Sequence, residues 1–129
     1  MQKMDSTTNA INWFEISVLE IGRAKAYYQA IFDIEMMDME MGDMKMAAFP
    51  FTPESGKTSG AIAQSPNHKP SMEGAVLYLN ANPNLQIVLD RVEAAGGKIA
   101  MPKTAIGPNG FMAMMIDTEG NMVGIHSGE

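Results

Sequence analysis

The chain has 129 residues, enough for one domain or for two small repeated halves that share a core. Fifteen acidic residues against nine scattered basic ones give a net charge of −6, which argues against a nucleic-acid partner. The sequence has no cysteine and no apolar run of membrane-spanning length, so we expect a cytoplasmic protein without disulfides or a membrane partner. Residues 1–9 are expected to form a flexible tail.

The first half of the chain predicts a strand, a helix and three further strands. From Ile11 to Val18, apolar residues alternate with Trp13, Glu15 and Ser17, which is typical of a strand with one apolar and one polar face. Apolar residues then recur at helical spacing across residues 21–32. Three strands follow, in a methionine-rich hairpin over residues 36–49 and a stretch of small residues over 59–64.

The second half repeats this order. A strand is predicted from Gly74 to Asn80, and Asn82 followed by Pro83 predicts a helix N-cap with proline at the first helical position. Gly96 and Gly97 are expected to end that helix. Three strands are then predicted, at Lys98–Met101 and in a hairpin over Phe111–Ser127 that turns at residues 117–121.

The repeated order predicts one domain, residues 10–129, made of two modules at about 10–65 and 72–127. Each half is too small to bury its own apolar face, so the two must pair. In the last strand, Met122, Gly124 and His126 share one face, whereas Val123 and Ile125 share the other. A nearly bare face that ends in a histidine suggests the floor of a cavity.

Two stretches carry a resemblance to a known family. The segment FEISVLEIGRAKAYYQAIFDIEM, residues 14–36, resembles the opening of the vicinal oxygen chelate superfamily, and DTEGNMVGIHS, residues 117–127, resembles its closing strand. This superfamily includes lactoylglutathione lyases, bleomycin-resistance proteins and extradiol dioxygenases, and the chain is most similar to predicted enzymes related to lactoylglutathione lyase. The resemblance spans about Asn12 to Ser127.

The resemblance implies an α+β fold in which two βαβββ modules form an open, cupped barrel around a central cleft. Metal-dependent members place His, Gln or Glu ligands on strands of both modules. Alignment on the quoted motifs puts these positions at Trp13, Gly74 and Gly124, which cannot bind a metal, and near Gln64. No metal or cofactor is therefore predicted, although a shift of two residues would place Glu15 and His126 on the cleft face and would leave a divalent metal open.

Seven residues are candidates for the cleft. Glu15 is the candidate general base and His126 the candidate acid or orienting residue, although a solvent-facing glutamate and a surface or dimer-interface histidine are the plainer alternatives. Trp13 and Tyr78 could stack on a flat ligand, or simply pack. The remaining candidate ligand-binding residues are Ser17, Asn80 and Met122.

Other residues favour structural roles. Five of the fourteen methionines alternate along the hairpin and suit packing or a subunit interface more than an adaptable binding surface: Met37, Met39, Met41, Met44 and Met46. Asp117 and Glu119 flank a turn, and turn chemistry accounts for them.

Two functions remain open, besides the plainer alternative of a dimeric scaffold whose cleft has lost its function. The first is an enzyme related to lactoylglutathione lyase, a lyase or isomerase that acts next to a carbonyl of a small organic substrate. The second is a non-catalytic protein of the bleomycin-resistance type that sequesters a ligand, and the acidic balance would suit a cationic one. In either case we expect a homodimer.

Overall fold

The computed structural model describes residues 3–129, so Met1 and Gln2 of the predicted tail lie outside the described residues. The first module contains β1 (Trp13–Ser17), α1 (Ile21–Phe32), β2 (Met37–Met41), β3 (Met44–Ala48) and β4 (Ser59–Gln64). The second contains β5 (Tyr78–Asn80), α2 (Leu85–Val92), β6 (Lys98–Ala105), β7 (Phe111–Ile116) and β8 (Met122–Ser127). The predicted α+β fold of two βαβββ modules is confirmed.

The two modules have the same topology. Their strands form two four-stranded sheets in the orders β1-β4-β3-β2 and β5-β8-β7-β6. The first strand of each module pairs in parallel with the last, and the remaining pairs are antiparallel. The duplication inferred from element order is therefore present in the strand pairing as well.

A single apolar core joins the modules. It contains Ile16 and Ile62 from the first sheet, Leu79 and Ile125 from the second, and the buried face of both helices. Because side chains alternate along a strand, the face of each sheet opposite the helices carries the other set of residues. We call this second surface the open face of each sheet.

Helix α1 forms where it was predicted. Its N-terminus is capped by the Glu20 side chain, which accepts from the Arg23 N–H at 3.3 Å. It ends at Asp33, whose left-handed conformation (φ 54°) stops the helix. The buried stripe follows the spacing expected of a core-facing helix, and comprises Ala24, Tyr27, Tyr28 and Ile31.

The predicted start and end of α2 are wrong. The cap is Asn84, whose Oδ1 accepts from the Gln86 N–H at 3.0 Å, and not Asn82. The Asn82 side chain instead accepts from the Gly128 N–H at 2.8 Å, a contact made only by the folded chain. The helix ends at Val92, and turns continue the chain to the glycines that were expected to end it.

Two strands differ in length from the prediction. Strand β5 is shorter because Gly74, at φ 98°, and the residues before Tyr78 lie outside it. Strand β6 extends past Pro102 to Ala105, with register shifts between Ile99 and Thr104. Since β6 is an edge strand, an irregular register accommodates a proline that has no N–H to donate.

Candidate functional site

On the open face of the first sheet, Trp13, Glu15 and Ser17 lie in a row along β1. The Trp13 indole Nε1 donates to a carboxylate oxygen of Glu15 at 3.2 Å, which orients an otherwise exposed carboxylate. On the neighbouring strand, Ala61 and Ala63 are the partners of Glu15 and Ser17. This face therefore presents one carboxylate above a floor of small side chains.

On the open face of the second sheet, the predicted residues also lie together. Tyr78 pairs with Gly124, and Asn80 pairs with His126. The His126 Nε2 lies 2.6 Å from the carbonyl oxygen of Asn109, and because a carbonyl only accepts, Nε2 carries the proton. The imidazole is thus fixed in orientation by the turn that precedes β7.

The candidate acid and base do not form one unit. Glu15 belongs to the first sheet and His126 to the second, and within residues 3–129 no hydrogen bond joins them. The structure thus divides the seven candidates into two groups, with Trp13, Glu15 and Ser17 in one, and Tyr78, Asn80, Met122 and His126 in the other.

The residues present do not fit the divalent metal that the resemblance implies. Gln64, the one potential ligand on β4, has its Oε1 accepting from the Ile21 N–H at 2.9 Å, where it caps α1. The inferred position at Gly74 lies outside β5 altogether. Among the described residues, no group of three or more His, Cys, Asp or Glu side chains could hold a metal ion.

At Gly124, one of the ligand positions that the resemblance implies, the Tyr78 ring fills the space that a side chain would need. A Cβ atom at residue 124 would lie 2.5 Å from Tyr78 Cδ1 and 3.1 Å from the Leu77 carbonyl oxygen. Cβ atoms in proteins do not approach other side-chain atoms to 2.5 Å, so any side chain at residue 124 would force the Tyr78 ring to move.

This contact gives a direct prediction. Gly124→Ala should lower the free energy of unfolding by about 1–2 kcal/mol, because overpacking displaces the Tyr78 ring. In a Tyr78→Ala background the same substitution should cost much less, as measured by urea denaturation of the four proteins of a double-mutant cycle. Equal costs in both backgrounds would show that the two side chains do not compete for this space.

A groove of about 760 Å³ lies between the two modules, away from the open face of the first sheet. Its apolar wall includes Phe14, Phe32, Ile34, Phe49, Leu79 and Val88. Its polar rim includes Thr58, Ser59, Asn80, Asn82, Asn84 and Arg91. Of the seven candidates only Tyr78 and Asn80 line this groove, and its other lining residues were not predicted from the sequence.

Among the residues that the structure describes, Arg91 is the one charged residue that lines this groove. It lies in the last turn of α2, and its guanidinium donates to the Ile31 carbonyl at the end of α1 at 3.2 Å. A sequence signal for this site did exist, since asparagines alternate at residues 80, 82 and 84. The arginine itself stands at an ordinary position for a helix C-terminus and gives no such signal.

A second polar cluster links the turn of the last hairpin to α1. The buried Glu119 carboxylate accepts from the backbone N–H groups of Leu19 and Glu20, both at 2.9 Å. It also accepts from the Arg23 guanidinium at 2.7 and 2.9 Å. Burial by itself would raise the pKa of Glu119, but these hydrogen bonds, together with one from Thr118, lower it to about 2.

Asp117 completes this cluster. Its carboxylate accepts from the Tyr28 hydroxyl at 2.7 Å and from the Asn121 N–H at 2.9 Å, and the Asn121 amide donates to the Ser17 carbonyl at 2.8 Å. Burial raises the pKa of Tyr28 well above its usual value, and the charge of Asp117 raises it further. Turn chemistry therefore explains only part of the role of Asp117 and Glu119, because both also form hydrogen bonds that join the second module to the first.

The statistical model of the Glyoxalase/Bleomycin resistance protein/Dioxygenase superfamily matches residues 10–125. A glyoxylase/bleomycin resistance protein/dioxygenase domain from Frankia sp. EAN1pec superposes with a TM-score of 0.69 at 15% identity, covering 95% of this chain and 100% of its own. A hypothetical protein from S. aureus superposes with a TM-score of 0.65 at 19% identity, covering 98% and 96%.

A glyoxalase I mutant from Zea mays superposes with a TM-score of 0.67 at 16% identity, covering 90% of this chain and 45% of the maize chain. No curated protein matches the sequence. Within residues 3–129, neither helix is long and apolar enough to cross a membrane. At these identities the structural matches establish the fold, and the activity must be argued from the site.

Proposed function

Because the chain belongs to the glyoxalase/bleomycin resistance protein/dioxygenase superfamily, we propose that it binds a small organic molecule in the groove between its modules. The observation that carries this proposal is the groove itself. Its volume of about 760 Å³ lies within the roughly 300–1,000 Å³ of small-molecule sites. Its apolar wall and polar rim are the usual composition of such sites.

The charge of the groove favours an anionic ligand with an apolar body, such as an aromatic carboxylate. Arg91 presents an exposed guanidinium at the rim, and guanidinium groups bind carboxylates with two parallel hydrogen bonds. The rim asparagines can donate or accept further hydrogen bonds. The cationic ligand suggested by the overall acidic charge fits this groove less well.

Sequestration without turnover is the form of the proposal that the geometry favours. The candidate base and acid, Glu15 and His126, lie on separate sheets and outside the groove. The side chains that do line it are apolar residues, asparagines, Thr58, Ser59, Tyr78 and Arg91. These residues can hold and orient a ligand, and none of them stands in an arrangement suited to abstract a proton.

Binding of 8-anilinonaphthalene-1-sulfonate, a fluorescent aromatic anion, tests the proposal. Arg91→Gln should weaken binding about tenfold, as expected for the loss of one charged hydrogen-bonding group. Lys98→Gln, which removes an exposed cation on β6 outside the groove, is the matched control and should leave the affinity unchanged. Equal losses in the two variants, or none in either, would show that the groove does not select the anion.

A lyase or isomerase is the second candidate, and one observation favours it. Glu15 is exposed on the open face and is held by the Trp13 indole at 3.2 Å, the arrangement of an oriented general base. Deuterium exchange at the carbons next to the carbonyl of dihydroxyacetone, followed by NMR in heavy water, tests for this activity. Exchange that survives in Glu15→Gln would rule out Glu15 as the base.

We further propose that the protein is a cytoplasmic homodimer. Its lack of cysteine suits a reducing compartment. Strand β6 is an edge strand that exposes Ile99 and Met101, and such a surface favours association with another copy. Light scattering of wild type and Met101→Lys should show a dimer that the substitution weakens, and a wild-type monomer at micromolar concentration would contradict the proposal.

A further inference from the structure

The β2–β3 hairpin places four thioethers side by side on the open face of the first sheet. Met39 is the cross-strand partner of Met46, and Met41 is the partner of Met44. Directly opposed residues in an antiparallel pair share a face, and residues two apart on one strand share it as well. The four side chains therefore form two adjacent pairs, which we call the methionine ladder.

The ladder has a buried end and an open end. Met46 is 4% exposed, Met39 and Met44 are half-buried, and Met41 is 67% exposed. The side chains of Met39 and Met44 pack against a small cluster that contains Met46 and Ala63. An ion could therefore enter from the Met41 end and be held where the surroundings exclude water.

Packing does not account for the whole ladder. Strand β2 is the edge strand of its sheet, and both Met37 and Met41 are exposed by more than 60%. A side chain this exposed gains little from burial, and an edge strand of a soluble protein usually carries charged residues instead. The exposed end of the ladder thus has a ligand chemistry that packing does not require.

From these observations, we propose that the methionine ladder binds a soft monovalent cation, Cu(I). Thioethers are neutral, soft ligands that select Cu(I) over hard ions. The chain has no cysteine, so methionines are its sole sulfur ligands. The hairpin is also acidic, since Asp38, Glu40 and Asp43 outnumber Lys45, which favours the approach of a cation.

The carboxylates of the hairpin lie on the face opposite the ladder, so the ladder does not have the ligands that a hard cation needs. Asp38 and Glu40 alternate with the methionines and therefore point away from the ladder. Asp38 also forms an ion pair with Lys25 at 2.9 Å. A divalent ion such as Mg²⁺, which requires oxygen ligands, has none supplied by the ladder itself.

Titration with Ag(I), and with Cu(I) under anaerobic conditions against a chromophoric chelator, tests the proposal. Trp13 is the sole tryptophan and packs against the same cluster, so its fluorescence should change as one ion binds per chain. The variant Met39→Leu/Met41→Leu/Met46→Leu keeps apolar side chains but removes three sulfurs. It should lose at least a hundredfold in affinity for either ion while it stays folded by circular dichroism.

Met4→Leu/Met72→Leu is the matched control, because both methionines are exposed and lie outside the hairpin. It should bind Ag(I) as the wild type does. Unchanged affinity in the ladder variant, or an equal loss in the control, would overturn the proposal. NMR of methyl-labelled methionine supplies a second readout, and shifts spread over all methionines rather than the ladder would also overturn it.

This site is independent of the proposed groove, whose lining residues include none of the ladder. Binding of 8-anilinonaphthalene-1-sulfonate should therefore be the same in the ladder variant and in the wild type. Failure of either proposal leaves the other to be judged on its own measurement.

Discussion

Replacing Glu119 with alanine is expected to lower the free energy of unfolding by about 3 kcal/mol and the melting temperature by roughly 10 °C. The carboxylate accepts from the Leu19 and Glu20 N–H groups and from two nitrogens of Arg23. Its removal leaves the N-terminus of α1 without these acceptors and removes a charged partner from the guanidinium. Urea denaturation followed by circular dichroism measures the change.

Glu35→Ala is the control, since Glu35 is exposed in the connection after α1, and it should change stability by less than about 0.5 kcal/mol. Glu119→Gln should fall between the two, because the amide oxygen can still accept from the backbone while the charge is lost. A loss in Glu119→Ala no larger than that in Glu35→Ala would mean that the cluster does not join the modules energetically.

Acid should remove the contribution of Glu119 between about pH 5 and pH 2. The pKa of this carboxyl is near 4.5 when the chain is unfolded and about 2 in the folded protein. A lowered folded pKa means that the stabilisation is fully present above the unfolded value and is lost as the pH falls towards the folded one. The difference corresponds to roughly 3 kcal/mol, and we expect about 2 kcal/mol because Arg23 is half-exposed and screened by water.

Comparison of wild type with Glu119→Gln isolates this effect from the other carboxyl groups of the chain. The difference in their free energies of unfolding should be largest near pH 6 and should shrink as the pH falls to 2.5. A difference that stays constant over this range would contradict the assigned pKa. The same pair in 1 M salt should show a smaller difference, since salt screens the partly exposed guanidinium.

Much of the fold could be predicted because it depends on local pattern. The stripe of Ala24, Tyr28 and Ile31 fixes α1, and alternation in residues 122–127 fixes β8. Both patterns need only the period of the element and the residues that end it. The order of elements then repeats, and this repetition was sufficient to predict two modules.

The remaining features depend on contacts between distant residues. Asn82, followed by Pro83, is the cap that the local sequence favours, but its side chain accepts from the Gly128 N–H, 46 residues away, and Asn84 caps α2 instead. Glu119 and Arg23 are 96 residues apart, so their ion pair could not be inferred from either local pattern. For the same reason the groove was missed, because it forms between the end of α1 and the strand and helix of the other module.

The residues just before α1 are far in sequence from Glu119, which accepts from their N–H groups, and this distance has a consequence for synthesis of the chain. The N–H groups of Leu19 and Glu20 leave the ribosome about 100 residues before Glu119 does. At roughly 5–20 residues per second, these two N–H groups wait on the order of 5–20 s for their acceptor. Until then α1 can pack on β3 and β4 of its own module, but Tyr27 and Tyr28 lack the partners that Met115 and Asp117 later supply.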